Sequence, residues 1–408
     1  MKVLFVSYGG GHITMVLPVI RALREQQPDT QVTLLALTTA HAAATAAGEN
    51  PVGYADFLDL VDEPGVAQWG ASLARGLHHP AVSATETRAY LGINFWDLQQ
   101  QHGLKQAQDL YARDGRYSFF PIHFFKRLLA KLQPDVVVST NSPRSEHAAL
   151  DAAVQMGIPS LSMIDLFAMN FDPYLQRSRH ADCITVLVPQ ARDNLLAHGV
   201  EASRIVITGN PAFDSLFDPQ LKEQARALRH ALHWEGLKVV LWAGIIEQLP
   251  GEFGTIAPGT AFAEAVEAVL RRWCARRPDV AVIARYHPNE AHLFPTGQPQ
   301  ERFHMSRPLV DRLHPQILAA NVVLVTGSTV GVEAASAGVP VLSLESAGSA
   351  SLMSYARLGI SQGVPSLAVL EDYLDGAVDG QTQAARIPLQ AGPAAPRIAE
   401  EISRLAQS

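Results

Sequence analysis

Residues Thr326–Glu345 read TGSTVGVEAASAGVPVLSLE, and this stretch decides the fold class. Just upstream, Val322 to Val325 is a short apolar, β-branched run of the kind buried on both faces of a parallel sheet, and Pro340 to Leu344 is a second. The helical segment between them is only long enough for a tight crossover. Gly327, Ser328 and Thr329 stand where the first strand stops, so backbone N–H groups and two hydroxyls gather at a helix start, where anions are favourably held. Glu333 follows one turn after Thr329 on the same helical face and can accept hydrogen bonds from two vicinal hydroxyls, such as those of a ribose. A phosphate cradle beside a ribose acceptor describes a nucleotide site. The same spacing also fits an N-cap, a solvated carboxylate and small residues that let helix and sheet approach, and spacing alone leaves both readings open.

Composition narrows the classes around that stretch. A chain of 408 residues exceeds one ordinary core and implies two or three domains. The formal net charge of −7 argues against nucleic acid as the main partner and points to small molecules. Cys183 and Cys274 are the only cysteines, too few for a disulfide framework and without metal-type spacing, which suits a reducing compartment. Only Val3 to Val6 precede Ser7 and a glycine run, so a signal-peptide apolar segment is not expected, and no run approaches the roughly 20 apolar residues of a membrane span. The expectation is a cytoplasmic chain with at most peripheral membrane contact.

The N-terminal half alternates strand and helix. Lys2 to Ser7 runs into Tyr8-Gly9-Gly10-Gly11-His12, followed by apolar residues at helical spacing from Met15 to Leu23. A dinucleotide fingerprint does not fit: GGGH lacks the third glycine of G-x-G-x-x-G, and no acidic residue ends the next strand, Gln31 to Leu37. Gly10 and Gly11 keep the loop free of side chains, leaving space for a substrate. Phe57 to Val61 is expected as a third strand. Phe124, Phe125, Leu128, Leu129 and Leu132 form one face of a helix that also bears Lys126, Arg127 and Lys131, a pattern that fits either an anionic lipid surface or a helix covering a sheet. Asp135 to Thr140 is a buried strand leading to Asn141-Ser142-Pro143-Arg144-Ser145-Glu146-His147, and Ser160 to Asp165 is another, ending in a carboxylate. Ligands of open α/β sheets sit at such strand ends, so Arg144, Glu146 and Asp165 join His12 as site candidates.

Asn210-Pro211 stops the first sheet, and Lys238 to Gly244 opens a second α/β unit. The loop Gly244 to Gly259, with Glu247, Pro250, Gly251, Gly254 and Pro258, reads as a long mouth that closes over substrate. His287 follows the strand Val280 to Tyr286, on the same rim as Thr326. Gln381 to Pro396 is a proline- and alanine-rich connection before a terminal helix, Arg397 to Ala406.

Three patches carry a family resemblance. TGST followed by EAASAGVPVL, Ile207 to Leu216 (ITGNPAFDSL) and Arg285 to Asn289 (RYHPN) together resemble nucleotide-sugar enzymes of the glycosyltransferase B fold. Among these the chain is most similar to the UDP-GlcNAc 2-epimerases and more loosely to the peptidoglycan N-acetylglucosaminyltransferase. The GGGH loop resembles the N-terminal loop of UDP-sugar transferases. The resemblance implies two doubly wound, Rossmann-like α/β domains facing across a cleft, spanning 1–212 on the acceptor side and 213–385 on the nucleotide side, with 386–408 packing back on the first. It implies that Glu333 holds the ribose, that Gly327, Ser328 and Thr329 hold the phosphates with His287, and that His12 is the base, with Asp165 as the second catalytic candidate. Gly10, Gly11, Arg144, Glu146, Asn210 and Glu247 are expected to line the substrate.

The resulting expectation is an inverting glycosyltransferase that moves a sugar from a UDP-sugar donor to a hydroxyl acceptor, a lipid-linked acceptor and a homodimer being compatible forms. No Asp-x-Asp ends a strand, so neither a metal nor another cofactor is expected. The alternatives are a nucleotide-sugar hydrolase or hydrolysing 2-epimerase, and a non-enzymatic nucleotide-sugar-binding scaffold. A true 2-epimerase would be expected to carry acidic groups at the ends of both strands, Asp135 to Thr140 and Ser160 to Asp165, and a histidine after Lys238 to Gly244. Only Asp165 meets that pattern, which favours transfer over epimerisation.

Overall fold

A computed structural model of the chain describes all residues except 62–63, 170–172, 177–179, 248–258, 295–296, 383–384, 386–391 and 408. It divides into one unit formed by Met1–Asp214 with Leu389–Ser408, and a second formed by Ser215–Pro388. Each is built on its own six-stranded sheet.

In the first unit the strands are β1 (Lys2–Tyr8), β2 (Gln31–Leu37), β3 (Val136–Thr140), β4 (Ser160–Met163), β5 (Cys183–Val186) and β6 (Ile205–Ile207). All pair in parallel, in the order β2-β1-β3-β4-β5-β6. Side chains alternate across a strand, so one stretch of apolar sequence supplies two cores. Val3, Phe5, Val136 and Val138 face one, with the first helix and the terminal helix Ala395–Leu405; Leu4, Val6 and Val137 face the other. Ile398, Ala399 and Ile402, fully buried, dock that terminal helix on the first unit.

One sequence expectation needs correction here, and one open alternative is settled. Tyr54–Val61 is a short helical segment, not a strand: Tyr54, Phe57 and Val61 recur at helical spacing and are the buried residues, whereas a strand would have buried alternate positions. The basic helix Ile122–Leu132 turns Phe124, Phe125, Leu128 and Leu129 into the core. Two of its cations are also engaged: Arg127 donates to the carbonyl of Leu60 and stacks over Trp96, and Lys131 pairs with Asp59 at 2.5 Å. The apolar face therefore covers the sheet. Among the described residues no helix is long and apolar enough to cross a membrane.

The second unit repeats the plan with β7 (Lys238–Gly244), β8 (Val280–Tyr286), β9 (Phe303–Met305), β10 (Val322–Val325), β11 (Val341–Leu344) and β12 (Gln362–Val364), in the parallel order β12-β11-β10-β7-β8-β9. The crossover between β10 and β11 is the seven-residue helix Val330–Ser336 expected from the opening stretch. Two doubly wound α/β units thus account for the described chain.

Candidate functional site

In the first unit the C-terminal ends of β1, β3 and β4 gather the polar groups. Gly9, at φ +82°, turns the chain out of β1 into the helix Gly9–Gln26, a backbone angle that favours glycine. Gly10 lies in the same helix, and a Cβ added at Gly11 would meet nothing within 4 Å. His12 is half-buried, with Nδ1 2.8 Å from the Thr140 hydroxyl at the end of β3. That hydroxyl donates to Glu146 Oε2 at 2.5 Å. Glu146 is wholly buried and also accepts the backbone N–H groups of Thr140 (2.7 Å) and Tyr8 (2.6 Å). Burial pushes its carboxyl above the usual carboxylate range, while His12, the Thr140 hydroxyl and the two backbone donors pull the other way.

With Glu146 ionised, counting protons sets the direction of this relay. An ionised carboxylate can only accept, and a hydroxyl has one proton to give. Once Thr140 donates to Glu146, it must accept from His12, which puts the proton on Nδ1. The neutral ring then carries its lone pair on Nε2, where a base needs it. Neither Thr140 nor its linking role was expected from the sequence.

Asn141, the next residue, points its amide to Asp165 Oδ1 at 3.1 Å, and Asn210 donates to the Asp165 carbonyl at 2.6 Å. Asn210 also accepts the N–H of Ala212, so it secures the turn after β6 as well as the end of β4. His12 and Asp165 are therefore anchored by two successive residues of one strand end. Arg144 stacks its guanidinium 4.5 Å over the Tyr8 ring and stands 5.6 Å from Tyr117, with its backbone at φ +69°.

In the second unit the loop after β10 is tightly built. A Cβ on Gly327 would lie 2.8 Å from that of Ser349, so only glycine fits there. The buried Tyr355 hydroxyl donates to the carbonyl of Ser328 at 3.0 Å and pins the loop from beneath. Ser328 Oγ accepts from the N–H of Val330 only at 3.4 Å, a weak cap. Glu333, 8% exposed, receives a long 3.4 Å contact from Thr329 and a 2.8 Å hydrogen bond from His314 Nε2. His314 Nδ1 in turn meets the hydroxyl of Ser215, so a serine and a histidine stand behind the carboxylate. Neither was expected; His314 sits in LHPQ, which reads as a helix start.

The other expected residues are placed differently. His287 is exposed and its ring accepts the N–H of Asn289, a turn contact, two strands away from β10. Glu247 is buried and accepts the N–H and hydroxyl of Ser349, which places it against the loop next to Gly327. The expected mouth of the Gly244–Gly259 loop, including Pro250, Gly251, Gly254 and Pro258, lies outside the described residues. Arg285, in RYHPN, is buried and donates to Ser306 and to the carbonyls of Asp311 and Pro308, so it braces the segment leading to His314. Among the described residues no cluster of three or more His, Cys, Asp or Glu could hold a metal ion.

Two Rossmann-like units, one carrying a glycine–serine–threonine loop with a buried glutamate, define an enzyme of the nucleotide-sugar class. The family model for UDP-N-acetylglucosamine 2-epimerase matches residues 176–403, over half of the chain, and the chain belongs to that family. Comparison with curated proteins finds no match. Among solved structures the fold is similar to S. aureus MnaA in a co-structure with UDP, at 15% identity and a TM-score of 0.60, covering 100% of this chain and 97% of that one. It is also similar to the Methanocaldococcus jannaschii UDP-GlcNAc 2-epimerase, at 14% identity and a TM-score of 0.62, covering 99% and 100%. A third likeness is the Neisseria meningitidis UDP-GlcNAc 2-epimerase bound to UDP-GlcNAc, at 15% identity and a TM-score of 0.59, again covering 99% and 100%.

The family match overturns the glycosyltransferase expectation: the chain groups with epimerases. The physical reason for the error is visible in the site. The loop and glutamate that suggested transfer point to nucleotide binding, which both reactions share, while the strand end at Ser139-Thr140 reads in sequence as a missing acid. It is instead one link to a buried acid six residues further on.

Proposed function

We propose that the chain is a hydrolysing UDP-N-acetylglucosamine 2-epimerase, releasing UDP and the C2-inverted N-acetylhexosamine. The family match over residues 176–403, which runs through the Gly327–Glu333 segment, carries the reading.

In the second unit, the N–H groups of the Gly327–Thr329 loop take the diphosphate and Glu333 takes the ribose hydroxyls, with His314 holding the carboxylate in place. In the first unit, Asp165 and His12 are the acid–base groups. The C2 hydrogen of the sugar has no neighbouring carbonyl to acidify it. Its removal becomes feasible when the diphosphate leaves C1 in the same step, the C2–H electron pair forming a C1=C2 double bond as the C1–O bond breaks. Asp165 is assigned the C2 proton. C2 then takes a solvent-derived proton on the face opposite the one Asp165 deprotonated, water adds its oxygen to C1 and gives its proton to His12 Nε2, and Asp165 and His12 return their protons to solvent. The relay through Thr140 to Glu146 supports this second role, because it stabilises the imidazolium that forms.

The test is incubation with UDP-N-acetylglucosamine and no acceptor. The expected products are UDP and free N-acetylmannosamine in equal amounts. Release of N-acetylglucosamine would make the chain a simple hydrolase, and recovery of intact substrate alone would refute the reading.

A further inference from the structure

A cavity of about 350 Å³ opens in the first unit beside the ends of β1 and β2, and the reaction above makes no use of it. Tyr8, Thr38, Thr39, Tyr90, Arg116 and Glu86 line its polar side, and Leu77, Val82 and Leu91 its apolar side. It lies at the C-terminal edge of a parallel sheet, where such folds place ligands.

Several features of its wall lack a structural explanation. Tyr90 is 6% exposed, and its buried hydroxyl makes no hydrogen bond of good geometry, the Tyr8 hydroxyl being the polar group beside it. A buried polar group of that kind is costly unless a partner arrives. Behind the wall, Arg144 stacks on the Tyr8 ring, and its Nε is buried without a hydrogen bond. Arg116 is exposed at the rim and has no carboxylate partner among the described residues. Thr38, at φ +54° and ψ −127°, holds a backbone conformation that L residues rarely adopt, at the lip of the same cavity. Both cations bear electrostatically on Tyr90. The one acid in the wall, Glu86, is already occupied by the N–H groups of Tyr54 and Ala55.

We propose that this cavity binds a monosaccharide bearing an anionic group, a carboxylate or a phosphate monoester, distinct from the nucleotide-sugar handled elsewhere on the chain. The volume stands at the low end of the range for small-molecule pockets, which suits one sugar ring and excludes a whole nucleotide-sugar. The two tyrosine rings and the aliphatic wall suit the faces of a pyranose, the three hydroxyls of Thr38, Thr39 and Thr87 its hydroxyl edge, and Arg116 its charge. A ligand oxygen held by Arg116 reaches the buried Tyr90 phenol through a side-chain shift in the cavity wall and gives it a well-formed hydrogen bond.

The test is titration of the full chain by calorimetry with glucuronate, with N-acetylglucosamine 6-phosphate and with neutral N-acetylglucosamine, UDP serving as control. Saturable binding of at least one anionic sugar is expected, with the neutral sugar weaker by about tenfold or more, the scale of a charged hydrogen bond. Which of the two binds decides between carboxylate and phosphate. Tyr90→Phe should weaken that binding about tenfold while the melting temperature stays nearly the same, since the hydroxyl lost makes no well-formed hydrogen bond. Arg116→Gln, at an exposed position, should weaken it at least as much. UDP affinity should be unchanged in both. Equal binding of neutral and anionic sugars, no saturable binding of either anion, or full affinity in both variants would overturn the proposal.

Discussion

Thr140→Val is the substitution that most sharply separates a working relay from a decorative one. Valine fills nearly the same volume and keeps the backbone N–H that Glu146 accepts at 2.7 Å, so the strand end stays anchored. What disappears is one hydroxyl, and with it both the 2.5 Å bond to Glu146 and the 2.8 Å bond to His12. A hydrogen bond to a charged group is worth about 1.5–3 kcal/mol, and here it supports an imidazolium that exists only as the base takes its proton. At 1.36 kcal/mol per factor of ten, kcat should fall about ten- to a hundredfold, less than the 10²–10⁴ expected for His12→Ala. KM should barely move, because no substrate contact is removed. Thr140→Ser keeps the hydroxyl and should recover most of the rate. The assay is UDP release under saturating substrate, with folding checked by circular dichroism. A folded Thr140→Val enzyme within twofold of the parent rate, or a serine variant no better than valine, would refute the argument.

Glu333→Ala should weaken UDP binding by about 1–3 kcal/mol, roughly five- to 150-fold in Kd, read by calorimetry; unchanged affinity in a folded protein would remove Glu333 from the ribose. Glu146 gives a pH signature. Burial raises its folded pKa above the unfolded one, so the native state holds the proton more tightly and stability falls as pH rises from the unfolded value through the folded one. Glu146→Gln should flatten that fall in denaturation curves recorded from mildly acidic to neutral pH, and an unaltered slope would contradict it.

The sequence carried the two-layered α/β plan because parallel strands buried on both faces announce themselves as short apolar runs, and Val322–Val325 and Val341–Leu344 are read without ambiguity. The segment Tyr54–Val61 failed for the opposite reason: six apolar or small residues among eight positions hide whether the period is that of a strand or of a helix. Of the site candidates, His12 and Glu146 were visible singly as a loop histidine and a first-turn carboxylate. Their connection was not, because it runs through a threonine that brings together residues 128 and six positions apart in the chain. Likewise Glu333 could be found from its loop, whereas His314 and Ser215 reach it only through the packing of the second unit. A strand end reading Ser139-Thr140 looks chemically empty until the fold shows which acid stands behind it.

The central claim is inversion at C2 through loss and return of a proton, and turnover of UDP-N-acetylglucosamine in deuterium oxide tests it most directly. The account requires the released N-acetylmannosamine to carry one deuterium at C2 from the first turnover onward, seen as loss of the H2 signal by proton NMR and a one-dalton gain by mass spectrometry. A released sugar that retains its C2 hydrogen, whatever its configuration, would contradict it.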